Sequence, residues 1–206
     1  MTFRIAAIAL LAVLASCATR LPPPVPLFVE VDPFTPPTRD MAQIVFLSPS
    51  DVPTKVDANA LYSLDGGHRT LIAVLAGHTG SFQQLAPGHH VFMTFGRSGH
   101  LLEANVEGGC RYYVLLRPDG DDDLVPLPMR MTEDAEITNR SPASGQWILD
   151  STMVEKTPAA DIFFARKSAQ VDAAQADALA AWQRKTPQAR AALTLEPADA
   201  ELRILR

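Results

Sequence analysis

From Ala42 to Leu116 the chain is cut into short runs of alternating character, each closed by glycine, proline or aspartate. This spacing constrains the fold more than any other feature. Alternation with period two sends successive side chains to opposite faces of a strand. Turn signals roughly every ten residues point to an antiparallel sandwich or barrel. Ile44-Val45-Phe46-Leu47 reads as a short buried strand. Leu61 to Leu64 meets the turn Asp65-Gly66-Gly67, which tolerates positive φ, and Thr70 to Leu75 returns from it. Gly77 and Gly80 punctuate the next connection, before a strand over Ser81 to Leu85. Pro87-Gly88 suits a type II turn. His90 to Phe95 follows, with Val91, Met93 and Phe95 on one side. Leu101 to Val106 is next, and Gly108-Gly109 turns the chain into Tyr112 to Leu116.

The residues Tyr62-Ser63-Leu64-Asp65-Gly66, Leu71 to Ala76, Leu85 to His90 and Gly109 to Val114 together resemble PEGA-like β-sandwich domains. More closely, the chain is similar to bacterial lipoproteins that carry such a domain after a lipobox. The resemblance covers about residues 42–118. It implies a small sandwich of the kind found at surfaces and as accessory modules. It brings no catalytic residues with it.

Beyond Arg117 the pattern loosens. Val125 to Met131 reads as one more strand, Ser141 to Gln146 as a loop and Trp147-Ile148-Leu149 as a brief pairing segment. Ser168 to Lys185 predicts a helix, because Val171, Ala174, Ala178, Leu179 and Trp182 recur at helical spacing. Thr186 is placed to cap a second short helix with Pro187 at its first position. Glu196-Pro197 opens a third, running toward Leu202 and Leu205. An Ala-rich helix carries modest apolar area. The expectation is docking on the sheets through Val171, Leu179 and Trp182. The fold class is therefore mainly β, a small antiparallel β-sandwich with a C-terminal α-helical extension.

The N-terminus speaks to location. Arg4 precedes an apolar run from Ile5 to Ala15. As a helix that run rises only about 16 Å, half a bilayer core. It reads as the h-region of a signal peptide. Leu14-Ala15-Ser16-Cys17 then resembles the bacterial lipobox, whose cysteine accepts a diacylglyceryl group through a thioether. Cleavage before Cys17 exposes an amine for further acylation, and two or three chains give stable anchoring. Ala18 stands where Asp would favour inner-membrane retention in the sorting pattern this resembles, so the outer membrane of a Gram-negative cell is expected, facing the periplasm. Seven of the 17 prolines fall between Pro22 and Pro37. That density favours polyproline II and a semi-rigid tether. The expected organisation is a lipoprotein signal peptide over 1–16 and a lipidated, proline-rich tether over 17–40. A sandwich over 41–150 and a helical extension over 151–206 complete it.

Composition narrows the function classes. With 18 Lys+Arg against 23 Asp+Glu the formal charge is −5, so nucleic-acid binding is not expected. Two cysteines rule out a disulfide scaffold and a cysteine-built zinc site. Five histidines, at 68, 78, 89, 90 and 100, lie in one third of the chain. His89 and His90 are adjacent on a strand and point apart, and no metal site is expected of the set. Asp119-Gly120-Asp121-Asp122-Asp123 copies the opening of an EF-hand loop. Leu124 replaces its glycine and Arg130 its bidentate glutamate, so a solvated turn is expected. Cys110 begins a strand without a nucleophile motif and reads as a structural thiol. Serine chemistry offers no G-x-S-x-G elbow. Trp147 and Trp182 are candidates for a sugar-stacking platform, although Trp182 falls on the apolar helical face.

These features lead to a lipid-anchored envelope protein, membrane-bound through Cys17. It is expected to act without enzyme activity or cofactor, as a binding or assembly module for another envelope protein. The alternative is a carbohydrate- or peptidoglycan-binding lipoprotein using a sheet face. A hydrolase assembled from His and Asp residues distant in sequence is the third reading.

Overall fold

A computed structural model describes residues 26–32, 36–48, 59–119 and 123–203. The fold is mainly β, with two mixed sheets packed face to face and helices on their outer sides. The first sheet runs β1 (Phe28–Glu30), β10 (Thr152–Lys156), β5 (Thr79–Leu85), β2 (Ala42–Ser48), β8 (Cys110–Asp119), β12 (Leu202–Arg203). The strand β9 (Asp123–Pro128) also pairs with β8. The second runs β11 (Thr194–Leu195), β7 (Gly99–Val106), β6 (Gly88–Phe95), β3 (Ala60–Ser63), β4 (Thr70–Val74).

The expected antiparallel sandwich is corrected on one point: both sheets are mixed. Each chain-adjacent hairpin is antiparallel, as its turn dictates: β3–β4, β6–β7 and β8–β9. The parallel pairs join strands far apart in sequence. β2 lies parallel to β8 from Gln43↔Arg111 to Leu47↔Leu115, β10 parallel to β5, and β11 parallel to β7. No local turn specifies those partners. Gly66 and Gly67 do take positive φ, at 64° and 75°, inside a 3₁₀ turn.

Three cores follow from the alternation. Ala42, Ile44 and Phe46 of β2 point between the sheets with Tyr112, Val114 and Leu116 of β8, meeting Leu61, Phe92 and Leu102. Phe46 and Phe92 touch across the gap, ring edge to face, with centroids 5.1 Å apart. Val45 and Leu47 point the other way with Tyr113 and Leu115, where Trp147 and Ile148 cover them. On the outer face of the second sheet, Tyr62, Met93, Phe95 and Leu101 meet Phe164, Val171, Ala178 and Trp182.

Several expectations from the C-terminal half change. Ser141 to Leu149 is neither loop nor strand. Pro142–Asp150 is a helix, α1, whose Ser141 hydroxyl accepts a bond from the Ser144 N–H. A second helix, α2 (Pro158–Ala165), and strand β10 add to the reading. The long helix α3 (Ser168–Arg184) agrees with expectation, as does α4 (Pro187–Ala191), capped by Thr186. Pro197–Asp199 is only a 3₁₀ turn, followed by β12 in place of a third helix; Leu205 lies outside the described residues.

The segment after residue 150, expected as a helical extension packed on the sandwich, also contributes strands. The later segment gives β10 and β12 to one sheet and β11 to the other. Arg130 pins this return: its guanidinium donates to the carbonyls of Ala191, Ala192 and Thr194 and pairs with Asp199 at 2.5 Å. The tether is corrected in the same way. Phe28–Glu30 pairs with Lys156–Val154 as an edge strand, and Thr157 donates its hydroxyl to the carbonyl of Pro26. An apolar stretch between prolines can still enter a sheet edge, where no second ladder is needed.

The docking face of α3 is set by geometry. At about 100° per residue, seven or eleven steps return close to the starting direction, whereas eight steps land about 80° away. Val171, Ala178 and Trp182 are accordingly buried, and Leu179 is 41% exposed. Gly99 lets the helix approach: a Cβ there would sit 2.8 Å from the Ala174 carbonyl oxygen. Arg69 fastens the same helix by pairing with Asp172 and donating to Gln175.

Two measurements check this architecture. Trp182→Ala should cost about 3–5 kcal/mol in urea melts, while Leu179→Ala should stay within about 0.5 kcal/mol. All three tyrosines are buried, and burial is the main cause that raises Tyr62, Tyr112 and Tyr113 from 10.0 to about 12. Arg69 partly offsets it at Tyr62, and the Glu107 N–H partly offsets it at Tyr112. Between those values the folded chain keeps protons that the unfolded chain has lost. Their contribution to stability is constant below about pH 10 and falls as pH rises toward about 12. Ultraviolet titration should show most of the phenolate signal only above about pH 11 in the folded protein, against about pH 10 in denaturant.

Candidate functional site

The residues singled out by sequence lie apart. Cys17 is outside the described residues. Cys110 is buried between the sheets among Ala42, Ala104 and Tyr112. His90 is held by acceptors at both ring nitrogens: Asp65 Oδ2 lies 2.7 Å from Nδ1 and the Ala86 carbonyl 2.8 Å from Nε2. Asp65 also accepts the Val91 N–H, so this pair fastens the β3–β4 turn to β6. His89 faces Glu103 at 3.7 Å on the surface. No group of three or more His, Cys, Asp or Glu is disposed to hold a metal ion among the described residues.

At the ends of the aspartate run, Asp119 of β8 opposes Asp123 of β9; residues 120–122 lie outside the described residues. Asp123 does not face a cation site. Its Oδ1 accepts the backbone N–H groups of Arg97 and Ser98 at 2.7 and 2.8 Å, closing the β6–β7 turn.

Two clefts remain. The larger, about 610 Å³, follows the seam between α3 and the start of β7. Its rim mixes Arg97, Arg184 and Lys185 with Asp119 and Asp177, and His100 lies in its wall with Nε2 buried 3.9 Å from Asp123. Trp182 in the same wall is only 7% exposed and is committed to helix docking.

The smaller cleft, about 270 Å³, opens where β2 ends and β5 and β10 begin, beside the last turn of α1. Ser48, His78, Gln146, Trp147, Asp150 and Ser151 line it. Local structure explains each position. Ser48 opposes Thr79 at the last register of β2–β5, and Thr79 opposes Thr152 at the first register of β5–β10. His78 sits just before that junction at φ 58°, uncommon for a residue with a Cβ, and its carbonyl accepts the Thr152 N–H at 2.8 Å. Trp147 packs on the Val45–Leu47–Tyr113 core from one side, which fixes its ring while leaving it half-buried. Ser151 Oγ donates to the Trp147 carbonyl at 2.6 Å, and Gln146 Nε2 donates to Asp150 at 2.7 Å.

Ser48 Oγ is buried and makes no hydrogen bond among the described residues. Ser48, His78 and Asp150 therefore share a cleft without forming a relay, because the hydroxyl is bonded to neither partner. Sequence reading missed Ser48 and Asp150, and it met His78 only as one of five histidines. The one advance signal was Trp147, which the sequence offers with Trp182 as a candidate for a sugar-stacking platform.

His78 should tolerate loss of its side chain. His78→Gly removes left-handed strain of about 1 kcal/mol and adds unfolded-state entropy of similar size. Thermal melts should show stability within about 1 kcal/mol of the parent. Comparison of the chain with family models, curated proteins and solved structures finds no match in any of the three.

Proposed function

We propose that this chain is a lipid-anchored cell-envelope protein, acylated at Cys17, that works as a non-enzymatic binding module at the periplasmic face of an outer membrane. The observation that carries the reading is the lipobox-like Leu14-Ala15-Ser16-Cys17 directly after the apolar run from Ile5 to Ala15. The resemblance of residues 42–118 to PEGA-like lipoproteins points the same way. No helix among the described residues is long and apolar enough to cross a membrane. The site reading also favours binding over turnover, since Ser48, His78 and Asp150 are not linked by hydrogen bonds.

Early entry of the chain into the sheet supports a short lead. From Cys17 to Phe28 the chain reaches at most about 40 Å when fully extended. An acylated Cys17 would keep β1 within that distance of the bilayer surface, on a lead much shorter than the expected 17–40 tether.

Palmitate labelling in the producing cell tests the anchor. Wild-type protein should take up label and sediment with membranes. Cys17→Ala should lose the label, because no other residue at this site can form the thioether. Undiminished label in the variant would overturn the reading.

A further inference from the structure

We propose that the cleft beside Trp147 is a binding site for a pyranose unit of an uncharged envelope glycan. The envelope source of the glycan rests on the reading above; the chemistry of the cleft does not.

The lining selects the ligand class. Gln146, Ser48 and Ser151 offer hydroxyl and amide groups that both donate and accept, His78 adds an imidazole and Asp150 a carboxylate. Among the described residues no Lys or Arg lines the cleft, which argues against phosphate or a carboxylated ligand. A dense set of hydroxyls that also both donate and accept is the complement of such a lining. Trp147 supplies the remaining surface. The C–H face of a pyranose is apolar and slightly positive, and the indole face is apolar and negative, so the two stack.

The cleft is built for a ligand in two further respects. Its volume of about 270 Å³ lies just under the range of about 300–1,000 Å³ typical of small-molecule sites, which suits one ring of an oligomer. Its parts are also held before any ligand arrives: Trp147 by the core beneath it, Gln146 by Asp150, and the His78 backbone by Thr152. Pre-set groups lose little freedom on binding. The Ser48 hydroxyl, without a hydrogen-bond partner among the described residues, is the independent sign. A buried hydroxyl without a partner destabilises a fold unless something else satisfies it.

The test uses the full-length protein purified in a detergent without a sugar headgroup. Isothermal titration with chitotetraose and with cellotetraose separates N-acetylated from plain glucosyl rings. Saturable binding to either is expected, with a dissociation constant below about 10 mM. Trp147→Ala and Gln146→Ala should each weaken it roughly tenfold, and Trp147→Phe should restore much of the Trp147 loss. Ser48→Ala should weaken binding while leaving the melting temperature equal or higher, which a purely structural serine would not do. Gln146 is exposed, so its variant remains informative if Trp147→Ala fails to fold.

No saturable binding to either oligosaccharide would overturn the assignment, as would binding unchanged in the Gln146 and Ser48 variants. Absence of binding by a chain that still takes palmitate at Cys17 overturns this site alone. Binding by a chain that takes no palmitate supports the site and overturns the anchor alone.

Discussion

Strand β2 is buried on both faces, and the rest of the architecture answers that fact. Ala42 to Ser48 are each essentially inaccessible to solvent. A strand covered on one face needs one packing partner; a strand covered on both needs two layers and neighbours on both edges. The second sheet covers Ala42, Ile44 and Phe46, and α1 covers Val45 and Leu47. β5 and β8 occupy the edges. Of its two polar residues, Gln43 is satisfied locally, since Arg111 Nε donates to Gln43 Oε1 at 2.6 Å inside the sheet. Leaving that amide unpaired would cost about 1–3 kcal/mol.

Close approach, more than apolar area, governs how the outer layers sit. Gly80 lies inside β5, where sequence suggested a connection. A Cβ there would stand 2.8 Å from Met153 Cε and 3.0 Å from the Phe46 carbonyl oxygen. The missing side chain makes room for the β10 methionine over the first sheet. Gly99 does the same for α3 over the second. An Ala-rich helix presses its backbone against a glycine and gains dispersion contacts that a larger residue would hold apart. Polar fastenings finish the job: Arg69 to Asp172 near its start, and Arg190 donating to the carbonyls of Trp182 and Gln183 at its end.

The strands between Ala42 and Leu116 were legible because alternation and turn chemistry are local. Asp65-Gly66-Gly67 predicts a chain reversal whatever lies opposite. The parallel pairing of β2 with β8 was not legible, since its register depends on contacts nearly seventy residues away. Strand β1 was hidden by its prolines, which say that a segment cannot be central but not that it cannot be an edge. Helix α1 did carry its signal: Ser141-Pro142 is a cap followed by a first-turn proline. Gly145 and the short apolar run after it obscure that signal. Leu179 was misplaced by one residue, enough on a helix to turn a side chain about 100°. In the candidate site only Trp147 was visible in advance. Ser48, His78 and Asp150 are polar residues at element ends, and nothing local distinguishes them from any others.

The cleft lies where regular structure ends, and its connectivity links it to the anchor. Thr152 donates its N–H to the carbonyl of His78, a lining residue, pairs with Thr79, and directly follows the lining Ser151, so β10 begins beside the cleft. Two residues further along, Val154 of β10 pairs with Glu30 of β1. On the anchored reading, β1 is the strand that leads directly to the lipidated cysteine. A ligand in the cleft and a lipid at Cys17 would then act on opposite edges of one five-residue strand. A pull transmitted through β1 loads the β1–β10 ladder in shear, with the short β10–β5 ladder behind it. A glycan held between Ser151, just before β10, and His78, just before β5, would bridge the start of that second ladder. If both proposals hold, the load path from lipid to ligand crosses only two strand pairings and bypasses the inter-sheet core.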